Sequence, residues 1–241
     1  MADGVTSAHD ELRYLTVRRA IEERIADGTY RVGTAIPSEN ELAMEFDTTR
    51  FTVRTALESL VESGAIRRAQ GKGAFVSPAW IGSGLDDTDG FRETVRSAHA
   101  EPSVRILSCA KREAGGHYAS LFGLEPADIL FSVRRLNMVD GIPVSIERAL
   151  MPYALFPGVD EIDLSMFSLY ETCKMYGHAV ELAQERIDIE ALSARDAKLL
   201  GVGAGSPALL LECLSYDGDG TVVEYARAWN RGDMGGYLYR F

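Results

Sequence analysis

Residues 37–43 read Pro37-Ser38-Glu39-Asn40-Glu41-Leu42-Ala43 and residues 48–57 read Thr48-Thr49-Arg50-Phe51-Thr52-Val53-Arg54-Thr55-Ala56-Leu57. Residues 71–76 close the stretch with Gly71-Lys72-Gly73-Ala74-Phe75-Val76. Ser38 is placed to cap a helix, and Glu41, three residues on, can reach back to complete a capping box. That helix runs through Leu42, Ala43 and Phe46 and breaks near Asp47-Thr48. Thr48 or Thr49 caps a second helix whose inward set is Val53, Ala56, Leu57, Leu60 and Val61. Gly64 closes it, and two short strands follow around the Gly71-Lys72-Gly73 turn. Upstream, residues 12–26 read as a helix with Leu12, Leu15, Ala20, Ile21 and Ile25 on one stripe and Arg18, Arg19, Glu22 and Glu23 facing out. Gly28 and Gly33 end it.

Two helices joined by a tight turn let the second present its N-terminal residues to a DNA major groove while the first braces it. Arg50, Thr52 and Arg54 lie outside the inward set at that end, and the arginine fork suits phosphates and guanine edges alike. Net charge over the chain is −11, but it is uneven: −2 for residues 1–79, −9 for residues 80–241, and +3 within residues 48–76. Local field governs phosphate binding, so the basic stretch can bind DNA while the acidic remainder stays off it.

These residues resemble the winged helix-turn-helix of the GntR family of transcription regulators. The likeness rests on Pro37-Ser38-Glu39, Glu41-Leu42-Ala43, Arg50, Thr52-Val53-Arg54, Ala56-Leu57, Leu60, Gly64 and Gly71-Lys72-Gly73 with Phe75-Val76. It implies DNA contacts from Ser38, Asn40, Thr49, Arg50, Thr52, Arg54, Lys72 and Gly73. Asn40 stands where the family usually has arginine, and Thr48-Thr49 where it usually has Val-Ser.

The 241 residues allow two domains of ordinary size. Residues 1–76 form the first and residues 77–92, polar and glycine-bearing, read as a linker. Beyond it the period changes to that of strands: 104–107, 129–139, 144–151, 185–190, 209–216 and 222–229, with Asp140-Gly141 as a hairpin turn. Helices are expected at 116–122, 168–176 and 193–200. Strands joined by hairpins with helices set aside make an antiparallel α+β domain.

Residues 85–241 resemble the UTRA ligand-sensing domain of the HutC subfamily, a chorismate-lyase-like fold. The matching pieces include Phe91 with Glu93, Arg135-Leu136, Asp140-Gly141-Ile142-Pro143, Glu147, Pro152, Phe156-Pro157, Ser168-Leu169-Tyr170, Glu224 and Arg231-Gly232-Asp233. The resemblance implies an effector site at Phe91, Arg92, Arg135, Asn137, Glu147, Ser168, Tyr170, Glu224 and Asn230. Relatives that sense sugar phosphates carry a second arginine at the position of Asn137, a small hydroxyl at that of Arg92 and an aromatic at that of Asn230. Alternation places Val133, Arg135, Asn137 and Val139 on one strand face and Arg134 on the other. An inward Arg135 requires a bound anion or an acid such as Glu147 or Glu224.

The expectation is therefore a cytoplasmic, ligand-responsive repressor that binds a palindromic operator as a homodimer. Its partners are double-stranded DNA and a small effector such as a sugar phosphate, a carboxylate or another small anion. No cofactor or metal is expected. Cys109, Cys173 and Cys213 lack metal-ligand spacing, and His9, His99, His117 and His178 sit in no nucleophile or metal motif, which disfavours an enzyme. His178, after Gly177, is expected to cap a helix end or face solvent. No run of about 18 apolar residues and no signal-peptide pattern at the N-terminus point to membrane or export. An effector-independent DNA-binding protein is the remaining alternative; it requires Arg135 paired internally and no open pocket.

Overall fold

A computed structural model describes residues 8–78 and 101–234, which fall into two compact units. The first holds α1 (Ala8–Ala26), α2 (Glu39–Glu45), α3 (Arg50–Glu62) and the antiparallel hairpin β1 (Ile66–Ala69) and β2 (Gly73–Val76). Its core is Val17, Ile21, Leu42, Val53, Ala56, Leu57, Leu60, Ile66 and Val76 with smaller neighbours. Val17 replaces Leu15 on the inward stripe of α1, and Leu15 is exposed. At about 100° per residue, Tyr14, Val17, Ile21 and Ile25 fall on one narrow face and Leu15 lies well off it. Val61 of α3 is likewise exposed, whereas Thr52 is buried. The two flank the Val53–Leu60 stripe on opposite sides, and only the Thr52 side is covered.

Caps and turns follow the local chemistry. Ser38 and Glu41 form the capping box of α2, and Thr49 caps α3 by accepting from the Thr52 N–H. Between the helices Asp47 takes φ 45°, a left-handed conformation that aspartate tolerates better than most residues. A third segment, Thr34 to Ile36, adds backbone bonds to β2, including Ile36 N–H to Ala74 O at 2.9 Å. At the hairpin tip Gly73 has φ 104°, outside the range of ordinary L-residues.

The second unit is a six-stranded antiparallel sheet. Its strands are β3 (Pro102–Glu113), β4 (Ile129–Val139), β5 (Ile142–Pro152), β6 (Val180–Ala191), β7 (Pro207–Asp217) and β8 (Val222–Arg231), in the order β3-β4-β5-β8-β7-β6. The expected strands all form; β4 has the expected bounds, and the other five run longer than their apolar signal. The Asp140-Gly141 hairpin forms with both residues at positive φ. Three helices fill the expected positions: α4 (Gly115–Phe122), α5 (Leu169–Met175) and α6 (Ala194–Leu200). On one sheet face, α6 packs Ala197 and Leu200 against Leu136 and Ile146, and α4 packs Ala119 and Phe122 against Leu130 and Leu150. The opposite face carries Phe131, Val133, Ala149 and Met151, all buried, and α5 reaches it through Tyr170. Among the described residues no helix is long and apolar enough to cross a membrane.

Candidate functional sites: a nucleic-acid interface and a buried polar cluster

Arg50 and Arg54 project from the first turn and a half of α3, each more than half exposed. They are not free. Glu39, the first residue of α2, accepts from Arg54 Nη2 at 2.9 Å and Arg54 Nε at 3.3 Å, and from Arg68 Nη2 of β1 at 3.1 Å. Arg50 Nη2 lies 3.7 Å from the same carboxylate. Hydrogen bonding from Arg54 holds the Glu39 carboxyl below its ordinary value against the opposing effect of burial, with Arg68 and Arg50 adding to it. One carboxylate thus gathers three guanidinium groups from two elements and leaves a surplus of positive charge on the surface.

The other residues expected at this interface divide. Asn40, Lys72 and Gly73 are exposed. Ser38 and Thr49 are exposed but spend their hydroxyls on caps. Thr52 corrects the sequence expectation: it is only 5% exposed, and its hydroxyl is 2.9 Å from Thr49 Oγ1. Burial of its side chain leaves it holding the helix start. Two surface features were missed. Phe51, 76% exposed, stands beside Arg50, and Met44 of α2 is exposed to a similar degree. Both sit off the inward stripes, which was the available signal. In the sequence Glu39 stands out only as part of a helix start and of the Pro37-Ser38-Glu39 motif, because its partners Arg54 and Arg68 are 15 and 29 positions away.

In the sheet domain, strand register assembles the second site. Arg135 of β4 faces Glu147 of β5, Glu147 faces Ala228 of β8, and one rung along Asn137, Ser145 and Asn230 are in line. Arg135 Nη2 donates to both oxygens of Glu147 at 2.7 and 2.8 Å. Asn137 Nδ2 donates to Ser145 Oγ at 3.1 Å and Glu147 Oε2 at 3.2 Å. Asn230 turns its amide to the carbonyls of Leu209 and Ala228. Glu224, 2% exposed, accepts from Ser215 Oγ at 3.2 Å, and Tyr170 OH is 3.4 Å from Ser215 Oγ.

The electrostatics of this cluster are tight. Burial and then the charge of Glu147 push the Glu224 carboxyl up to about 7, while Arg135 and Ser215 pull less strongly the other way. Burial also raises the Tyr170 phenol far above its usual range. Within this cluster two buried polar atoms have no hydrogen-bond partner: Arg135 Nε and Asn137 Oδ1. Leaving such groups unmet costs about 1–3 kcal/mol each, so they mark where a ligand atom would be favoured. Ser168 caps α5, its hydroxyl accepting from Glu171 N–H at 3.0 Å. Phe91 and Arg92, and the linker apart from Ser77 and Pro78, lie outside the described residues. His178 caps the C-terminal end of α5 through its backbone N–H, which donates to Cys173 O at 3.0 Å, while its side chain is held rather than free in solvent: Nδ1 is 2.8 Å from Asp217 Oδ2 and the ring meets Phe156 edge-on.

Residues 13–76 match the family described as "Bacterial regulatory proteins, gntR family", and residues 97–234 match the UTRA domain. The HTH-type transcriptional repressor NagR of Bacillus subtilis is 27% identical over 221 residues, 91% of this chain and 90% of that protein. The HTH-type transcriptional repressor PhnF of Mycolicibacterium smegmatis is 30% identical over 217 residues, 90% and 88% respectively. The crystal structure of PhnF from Mycobacterium smegmatis superposes with a TM-score of 0.60 at 28% identity, covering 92% of this chain and 97% of that one.

Proposed function

The chain belongs to the GntR family of bacterial regulatory proteins and carries a UTRA domain, and on that premise we propose that it represses transcription as a homodimer on a palindromic operator and answers to a small, polar, anion-bearing metabolite. The family and its relatives are DNA-binding regulators, not enzymes. The reading places the protein in the cytoplasm, where operator and metabolite meet.

On the DNA side, Arg50 and Arg54 read or clamp the operator, with Arg68 and Lys72 on phosphates and Asn40, Ser38, Thr49 and Gly73 at the margins. A single winged module touches few base pairs, and two modules on one palindrome roughly double the contact. The edge strand β6 supports pairing between copies. It is 12 residues long, lies at the edge of the sheet and exposes Leu182, Ile187 and Ile189 between its charged side chains, a position where another strand can add.

The observation that carries the effector reading is the pair of unmet buried atoms, Arg135 Nε and Asn137 Oδ1. With Glu224 protonated, Arg135 and Glu147 balance each other. A sugar phosphate or carboxylate can then take Arg135 in place of Glu147 while its hydroxyls meet Asn137, Tyr170 and Glu224, with Ser168, Asn230, Phe91 and Arg92 completing the site. Differential binding to the operator-fitting and non-fitting arrangements couples effector to DNA by about 1–3 kcal/mol.

A second reading has an observation of its own. Arg135 is fully engaged at Nη2 by Glu147, as an effector-independent DNA-binding protein requires. Selection of bound duplexes from a random library, followed by mobility shifts against a metabolite panel, tests both. Palindromic sites and a metabolite that changes affinity support the first reading. Asymmetric half-sites would remove the homodimer, and indifference to every small anion would favour the second.

A further inference from the structure

The face of the sheet opposite the polar cluster holds a second arrangement of charge. Cross-strand register sets Arg134 of β4 opposite Arg148 of β5, and Arg148 opposite Arg227 of β8. Like charges in directly opposed positions repel, so a row of three guanidinium groups costs stability unless anions neutralise it. Helix α6 packs on one side of this row and α4 on the other, so the row floors the gap between them. On the α6 side of the row is a cleft of about 400 Å³, where Arg195 and Asp196 of α6 and the indole of Trp229 join the three arginines in the wall.

The two ends of the row are neutralised. Arg134 pairs with Asp196. Arg227 lies 3.3 Å from Glu190 and 3.0 Å from Glu212, with its guanidinium 4.9 Å from the Trp229 ring centre. The centre is not. Among the described residues no carboxylate is within ion-pair distance of Arg148 or Arg195. Arg227 Nε is buried and, though close to Glu212, makes no aligned hydrogen bond. Four arginines against one aspartate line the cleft, and its volume is that of a small-molecule site.

We propose that this cleft binds a small oxyanion, a phosphate or carboxylate group of a metabolite, held by Arg148 between Arg134 and Arg227 with the rest of the molecule against the Trp229 indole. The site is separate from the effector site proposed on the other face and does not depend on it. Arginine's planar fork makes the recognition bidentate, which a lysine at position 148 would not reproduce.

Trp229 reports on the cleft directly. In the full chain carrying Trp80→Phe, Trp229 is the sole tryptophan. Potassium phosphate and potassium malonate are titrated separately at ionic strength held constant with chloride. The expected result is a saturating change in Trp229 fluorescence with one of the two, which also tells phosphate from carboxylate. Arg148→Gln should weaken it by roughly tenfold or more and Arg148→Lys by less. Because Arg148 is exposed and its charge adds only repulsion to the row, neither variant should melt below the parent, and melting curves check this. A non-saturating response shared with chloride would overturn the proposal. So would identical titrations of Arg148→Gln and its parent. A change that tracks dissociation of dimers in sedimentation would assign the cleft to acidic groups of a second copy and overturn it equally.

Discussion

Glu39 Oε2 accepts a 2.9 Å hydrogen bond from Arg54 Nη2, so the first residue of the bracing helix holds an arginine proposed to meet DNA. The pair is solvent-accessible and worth little to stability. Its effect is on charge and aim. Glu39→Gln should therefore raise affinity for non-operator DNA and steepen the salt dependence by about one unit of slope, while narrowing the ratio of operator to non-operator binding. Anisotropy titrations at several salt concentrations measure both. An unchanged slope would show that Glu39 already releases the arginines on binding.

Arg54→Ala and Arg50→Ala should each lower operator affinity by roughly tenfold or more with folding stability unchanged within about 0.5 kcal/mol. Thr52→Val is expected to do the opposite. Its hydroxyl supports the start of α3, so it should cost about 1 kcal/mol of stability and leave operator affinity nearly intact. Urea denaturation beside mobility shifts separates the two patterns.

Glu224 gives the sheet domain a pH dependence of definite sign. Its folded carboxyl titrates at about 7 against an ordinary value of 4.5. Between those values the folded state holds a proton that the unfolded state has lost. The stabilisation is complete below the ordinary value and disappears as pH rises through about 7, a decline of about 3 kcal/mol by linkage. Glu224→Gln should flatten it. Equilibrium unfolding from pH 4 to 8 is the measurement, and equal slopes in both proteins would refute the assignment.

Breaking the buried pair from one side should be severe. Glu147→Leu leaves Arg135 charged and unpaired and should cost about 3–5 kcal/mol. The double variant Arg135→Met with Glu147→Leu should regain most of that loss and still lose any metabolite response. A double-mutant cycle in urea, with mobility shifts on the double variant, tests the structural and sensing roles apart.

Ile189 is 71% exposed on the edge strand β6. If that edge joins two copies, Ile189→Lys should shift the protein towards monomer and cut operator affinity, with the melting of the sheet altered little. Sedimentation velocity checks it. A dimer that survives the substitution places the interface elsewhere.

Much of the fold was legible along the chain because its determinants are local. The capping boxes at Ser38 and Ser168 each join residues three positions apart, and Asp140-Gly141 turns within two. Strand alternation put Arg135 and Asn137 on one face and Arg134 on the other before any partner was known. Leu15, Val61 and Thr52 were misplaced, because apolarity marks the stripe only approximately and the packing of α1 on α3 decides which flank is covered.

Chain order thus determines the elements, their caps and the class of the protein, since each rests on interactions within a few residues. Tertiary structure alone decides which charges meet. Glu39 finds Arg68 across 29 positions, Arg134 finds Asp196 across 62, and Arg148 is left between two arginines by the pairing of β4, β5 and β8. A charge is indifferent to sequence distance and sensitive to a few ångströms of space. Pairing and its absence therefore exist only once the sheet and helices have closed.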